Sequence, residues 1–387
     1  MPARLALLAL LLAQPAHADG PVVTGPPETV FDWSADRCAA WDIPDAPARA
    51  WRGPDGLRLL AGSDESRVGV GSSLDAIERR CEVVHRGAED DDPGAYDDRT
   101  WVASPWVGPD GEVRALGHVE YHGHLRPGAC AAGTYGACWR NAVVELASPD
   151  GGLSFQRLGG GRDLVAALPV RYGPDQTARE GFFNPSNVVE RDGFLHAFVF
   201  AEAFGAQARG ACLIRRPVDG GPADWRAWDG TAFTVRFADP YREDADPAQH
   251  ACAPLPGLSS TVSSLAWHSG RGVWLAVTPA VRQDAEGRER SGVWWMTSPD
   301  LLAWSEPQLL VELPLLWARD CGAEAAFAYP SLLDEDAPGP NLDAVDDRFW
   351  LYATRMALDG GCRVGPDRDL VRWPVSWPRP GGDGSAP

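Results

Sequence analysis

The chain reads as an all-β protein, a five-bladed β-propeller with four antiparallel strands per blade, on three observations. A short aspartate signature recurs: Ser73-Leu74-Asp75 with Arg79, Ser148-Pro149-Asp150 with Phe155, Asp219 with Trp225, Ser298-Pro299-Asp300 with Trp304, and Asp369 with Trp373. Its aspartates lie 75, 69, 81 and 69 residues apart, which implies five copies of one supersecondary unit closed into a ring. Between the signatures, apolar runs flank Gly-containing turns, a hairpin signal. Helical periodicity is scarce, and 42 glycines and 34 prolines punctuate the chain at the spacing of short strands.

In chain order, residues 1–18 combine one arginine, an apolar run and the small-x-small site Ala16-His17-Ala18, the build of a cleaved secretory signal. A secreted or periplasmic location follows, with cleavage near Ala18 and a single domain over residues 19–380. Residues 19–44 read as a closure and linker segment, and 381–387 as a disordered tail. The inner hairpins are expected at Ala46 to Leu60, Trp101 to Leu116, Asn187 to Phe200, Val262 to Val277, and Tyr329 to Thr354 with an insertion. Each signature then joins a third strand to a fourth that ends near the aromatic residue.

All eight cysteines follow the cleavage point and none forms a C-x-x-C pair, so disulfides are favoured over metal thiolates. Pairing by locality gives Cys38 with Cys81, Cys130 with Cys138, Cys212 with Cys252, and Cys321 with Cys362. A net charge of -19 argues against nucleic acid or an anionic membrane as partner, and a monomer is expected. The acidic run Glu89 to Asp92 with Asp97 and Asp98 lacks EF-hand spacing and reads as a solvated loop. Of the 17 tryptophans, Trp225, Trp304 and Trp373 share one repeat position and are expected to pack between blades.

Strand order turns the repeat into a site. If the first strand of each hairpin starts at one face of the ring, the antiparallel second strand ends there, so residues before first strands and after second strands converge. The first group holds Asp45, Trp101, Ser104, Asn184, Asn187, Ser259, Ser260 and Tyr329; the second holds His118, Glu120, His122, His124, Glu202 and Arg355. In His118-Val119-Glu120-Tyr121-His122-Gly123-His124, alternate residues of an extended strand share a face, so His118, His122 and His124 are candidate metal ligands. Arg49 and Arg355 offer guanidinium forks suited to a carboxylate or sulfate on a substrate.

Pro44-Asp45-Ala46-Pro47-Ala48-Arg49, a Pro-Asp-Gly turn and Ser298-Pro299-Asp300-Leu301-Leu302-Ala303-Trp304 together resemble the five-bladed β-propeller glycosidases, the superfamily of glycoside hydrolase families 43, 32 and 62. The resemblance implies that Asp45, at the start of the first inner strand, is the catalytic base or nucleophile. The third and fourth blades depart from it: Asn184-Pro185-Ser186-Asn187 and Ser259 to Ser264 stand where those families carry further acids. Glu202 or Glu120 is then left as the acid partner that glycosidic hydrolysis usually requires.

The expectation is an exported glycan-active protein, a glycoside hydrolase with catalytic Asp45, Glu202 and Glu120. Arg49, Trp101, His118, His122, Asn184, Asn187, Tyr329 and Arg355 would bind a carbohydrate substrate. No cofactor is required, and a structural or central Ca2+ or other divalent metal is left open. A non-catalytic carbohydrate- or partner-binding propeller is the alternative. A sialidase-like hydrolase of acidic sugars is a second one, because Ser148 to Phe155 fits the Asp-box turn; the Arg-Ile-Pro that sialidases carry near their first blade is absent. No nucleophile elbow, P-loop or dinucleotide fingerprint occurs.

Overall fold

A computed structural model of the chain describes residues 20–378 apart from residue 160. The signal segment and the C-terminal tail expected from the sequence lie outside the described residues. The regular structure of the chain is almost entirely strand, in five antiparallel units. The first is Arg49–Gly53, Gly56–Leu60, Val68–Gly71 and Ile77–Arg79. The second runs Arg99–Val107, Val113–His122 and Trp139–Ser148, with Gln156–Arg157 and Leu164–Ala166 outermost.

The third blade begins with the broken inner strand Glu180–Phe183 and Val189–Arg191, followed by Phe194–Ala201, Gly210–Pro217 and Arg226–Trp228. The fourth contains Ser264–His268, Val273–Gln283, Glu289–Ser298 and Gln308–Glu312. Ala325–Leu333, Arg348–Leu358 and Val364–Ser376 build the fifth. Its outer edge comes from the other end of the chain: Val22–Val23 and Glu28–Phe31 both pair with Val364–Ser376.

That closure corrects the fifth copy of the repeat. Asp369 to Trp373 is not an outer turn but the middle of the third strand, because the N-terminal strands occupy the place a turn-linked fourth strand would take. The other copies are turns; the outer strand of the first ends at Arg79 as expected, whereas those of the second, third and fourth begin after the aromatic residue rather than ending at it. In the second, Asp150 accepts from the backbone N–H of Leu153 and Ser154 at 3.1 and 2.8 Å and holds the turn shut.

Inner strands touch around the whole ring. Arg49–Gly53 lies beside Arg99–Val107 and Ala325–Leu333, and Ser264–His268 lies beside Ala325–Leu333. The Ser104 hydroxyl donates to the Ser186 carbonyl at 2.6 Å, tying the second blade to the third. Asn187 clamps the Leu265 backbone with both ends of its amide, at 2.8 and 2.7 Å, tying the third to the fourth. Gly181 lets the third blade approach the second: at φ +109°, a Cβ there would sit 2.0 Å from the Asn141 carbonyl oxygen.

Five apolar clusters lie at the five blade interfaces, which is why the ring needs no single central core. Trp51 and Leu60 pack on Val102 and Leu146, Trp106 and Leu116 on Phe182 and Trp225, and Phe198 and Phe200 on Leu265 and Trp274. Leu275 and Trp295 meet Leu351 and Trp373, and Leu57 and Leu59 meet Leu333 and Tyr352. Trp225, Trp304 and Trp373 are inter-blade packers, as their shared repeat position predicts. Trp225 also donates to the buried Glu145 carboxylate at 3.0 Å, where Arg114 and Arg216 neutralise the charge at 3.1 and 3.2 Å.

Four disulfides join Cys38 to Cys81, Cys130 to Cys138, Cys212 to Cys252 and Cys321 to Cys362. Such bridges persist in oxidising compartments. Among the described residues no helix is long and apolar enough to cross a membrane.

Candidate functional site

The end of the ring where first strands begin and second strands finish opens into a cavity of about 850 Å³. Asp45, Trp101, Asn184, Ser259, Ser260 and Tyr329 reach it from the entry side, and His118, Glu120, His122 and His124 from the return side. At its floor, Asp45, Trp101, His118, Glu120, Asn184 and Tyr329 line one small niche.

The Asp45 carboxylate is met by three donors. Trp101 Nε1 donates at 3.3 Å, the Tyr329 hydroxyl donates at 3.1 Å, and Arg368 forms a short ion pair. Burial pushes the Asp45 carboxyl up, while the Arg368 charge and the two other donors oppose it. Tyr329 reaches this position at a cost. Its φ is +58°, in the left-handed region, and the pairing of its strand shifts register between Ala328 and Ser331, a bulge that re-aims the side chain. Asn184 is likewise left-handed, at φ +47°. Backbone strain at two residues of one niche is a pattern found at functional sites.

Glu120 sits in a different environment. His122 Nε2 is 2.8 Å from one carboxyl oxygen and His118 Nε2 is 3.7 Å from the other. Burial, reinforced by the negative charge of Asp45, pushes the Glu120 carboxyl up to about 8, with His118 opposing. The histidines move the opposite way. Burial lowers His118, and it lowers His122 to about 4, so both imidazoles stay neutral at neutral pH. Burial raises both carboxyl groups of the niche, but their contacts differ: Asp45 has a cation and two neutral donors against it, whereas Glu120 has imidazoles, with the charge of Arg179 opposing its rise.

The alternation expected of the histidine string holds through His122, where the strand ends. Gly123–Leu125 then turns as a 3-10 helix, so His124 does not continue the strand face. Its ring meets His122 at 5.6 Å and Tyr135 at 5.2 Å in an aromatic cluster. Among the described residues no group of three or more His, Cys, Asp or Glu is arranged to hold a metal. One member of the acidic run also departs from a solvated loop: Asp98 is buried, accepts from the His122 backbone N–H at 2.8 Å, and pairs with Arg126 at 2.6 Å.

Five expected site residues stand apart from the cavity lining. Ser104 and Asn187 are spent on the blade ties described above. Arg49 is buried with no carboxylate beside it, donates to the Ser263 carbonyl at 2.7 Å, and is lowered to about 9 by burial. Arg355 pairs with Asp369 at 3.2 Å. Glu202 does not itself line the cavity; its carboxylate is held by Arg179 and, at 3.0 Å, by Arg209, both of which do. Strand order brings a residue to one end of the ring but does not say which neighbours its side chain meets, whether it lies inside a strand, as Ser104 and Arg355 do, or just past one, as Glu202 does.

Other lining residues went unread in the sequence. Asp64, 3.4 Å from Arg99, follows the second strand of the first blade and obeys the convergence rule that found Glu120. Arg368 lies just before the misassigned fifth repeat. Trp41, Tyr135 and Trp317 line the mouth from loops that carry no periodic pattern.

No protein-family model matches the chain, and no curated protein matches it. Solved structures do. An alpha-L-arabinanase of Cellvibrio cellulosa complexed with arabinohexaose is 12% identical, covering 85% of this chain and 90% of that one, with a TM-score of 0.45. A glycosyl hydrolase from Bacteroides ovatus is 8% identical over 86% of this chain and 84% of that one, at 0.48. An endo-1,5-alpha-L-arabinanase from Thermotoga petrophila is 11% identical over 89% and 75%, at 0.47. What the cavity can do is therefore read from its own side chains.

Proposed function

We propose that the protein is an exported glycoside hydrolase whose carboxyl pair is Asp45 and Glu120. The observation that carries this reading is the split environment of the two groups within one niche. Glycosidic cleavage needs one carboxyl that is protonated at working pH and one that is ionised. In this reading Glu120, pushed up to about 8 by burial, supplies the first, and Asp45, ion-paired with Arg368 and hydrogen-bonded by Tyr329 and Trp101 against the upward push of its own burial, is assigned the second.

In this mechanism Glu120 gives its proton to the leaving glycosidic oxygen, and Asp45 either attacks the anomeric carbon or activates a water. The 2.8 Å contact with His122 fixes the orientation of the acid. Tyr329 and Trp101 fix the base. Trp101, His118 and Asn184 bind the sugar at the floor. Glu202 is not part of the pair in this reading, because it is absent from the niche lining and its carboxylate is taken up by Arg179 and Arg209.

The test is turnover of a panel of aryl glycosides and soluble polysaccharides by the chain and by Asp45→Asn. Loss of about 10²–10⁴ in kcat is the scale of removing a group that acts on the transferred proton. Activity that survives Asp45→Asn would falsify the assignment.

A further inference from the structure

The cavity mouth has a feature that hydrolysis at the floor does not use. Trp41, Tyr135 and Trp317 line it while remaining 60%, 49% and 57% exposed. Exposed large aromatics are costly in water, and a cluster of them around one opening marks a surface built to be covered.

These side chains are also held in place. Trp41 stands three residues after Cys38 of the Cys38–Cys81 bridge, and its carbonyl accepts from the Ser63 hydroxyl at 3.1 Å. Tyr135 lies inside the Cys130–Cys138 loop with its ring 4.7 Å from that of Trp139. Trp317 precedes Cys321 of the Cys321–Cys362 bridge, in a turn closed by Ala318 N–H donating to Leu315 at 3.0 Å. Three separate loops, one before the first blade, one within the second and one between the fourth and fifth, thus each place one exposed aromatic at the mouth beside a covalent brace. Loops fixed in advance lose little entropy on binding.

We infer that Trp41, Tyr135 and Trp317 form a preorganised stacking rim for a glycan chain of several sugar units, so that the substrate is a polysaccharide or long oligosaccharide. This rests on the hydrolytic reading of the floor. Flat aromatic faces suit the C–H faces of sugar rings, while polar edges serve the hydroxyls. A cavity of about 850 Å³ exceeds what one ring would fill, and the three rim residues line it together with Asp45 and Glu120.

The test is affinity electrophoresis of the chain through gels containing arabinan, xylan, glucomannan or polygalacturonate. The wild-type protein should be retarded by at least one of these. The double variant Trp41→Ala/Trp317→Ala should bind that polymer about tenfold more weakly or worse, the scale of losing an aromatic anchor. Trp41→Phe/Trp317→Phe should restore most of the retardation, and an unchanged melting temperature shows that the fold is intact. Absence of wild-type retardation in every gel, or full retardation of the alanine double variant, overturns the rim. Turnover of an aryl glycoside that depends on Asp45, with no retardation, would sink the rim and leave the hydrolase standing. Rim-dependent retardation with no turnover would do the reverse.

Discussion

Replacing Glu120 by glutamine tests the acid by thermodynamics as well as by activity. In the fold the carboxyl is raised from an ordinary 4.5 to about 8, so folding favours its protonated form. Its contribution is intact below pH 4.5 and is lost as the pH climbs through about 8. Each unit of pKa difference is worth ~1.4 kcal/mol, so near pH 7 the wild-type protein bears a cost of ~3 kcal/mol for this group, rising to ~5 kcal/mol above pH 8. Glutamine has nearly the shape of the protonated acid and does not titrate. The variant should therefore match wild type near pH 4.5 and exceed it by ~2–3 kcal/mol at pH 7, while losing hydrolytic activity. Guanidinium denaturation with the disulfides intact, run on both proteins at pH 4.5, 7 and 8.5, measures the difference for Glu120 together with the neighbours its charge touches, because titrations remote from it cancel. A stability difference that is the same at all three pH values would show that Glu120 is ionised at neutral pH and unable to serve as the acid.

Three further outcomes are expected. Arg368→Ala removes the charge that opposes the rise of Asp45, so the acid limb of the pH–rate profile should move to higher pH; an unmoved limb would assign it to another group. His122, lowered to about 4, should show no imidazole titration between pH 5.5 and 8 by NMR. Glu145→Ala leaves Arg216 buried without its carboxylate and Trp225 without its acceptor, and should cost ~3–5 kcal/mol in denaturation while aryl-glycoside turnover per folded molecule stays unchanged.

The floor of the site was legible because it is built from regular strands. Alternation placed His118, Glu120 and His122 on one face, and strand order brought Asp45, Trp101, Asn184 and Tyr329 to the same end. The rule failed at Glu202, one residue past Phe194–Ala201, whose carboxylate is taken by arginines, and at Arg355, which lies inside the paired strand Arg348–Leu358 opposite Asp369 and bonds to it. It could not see the mouth at all. Trp41, Tyr135 and Trp317 sit in loops whose shape is set by disulfides, and no hydrophobic period reports a loop. Arg368 was hidden for a third reason. The aspartate signature beside it suggested an outer turn, whereas the ring uses Glu28–Phe31 as its edge and keeps Val364–Ser376 as a continuous strand, one residue of which points into the cavity.

The pairing of Val22–Val23 and Glu28–Phe31 with Val364–Ser376 also sets an order of events for the newly made chain. A hoop buckled by its own first residues cannot shut while its last ones are missing. Until Val364–Ser376 is in place four blades can assemble, yet the seam stays open and its apolar edges stay uncovered. The buckle lies next to the carboxylate it serves, so a chain cut short near its C-terminus is both an unclosed hoop and one without Arg368 beside Asp45. Completion of the molecule and completion of its site are a single step.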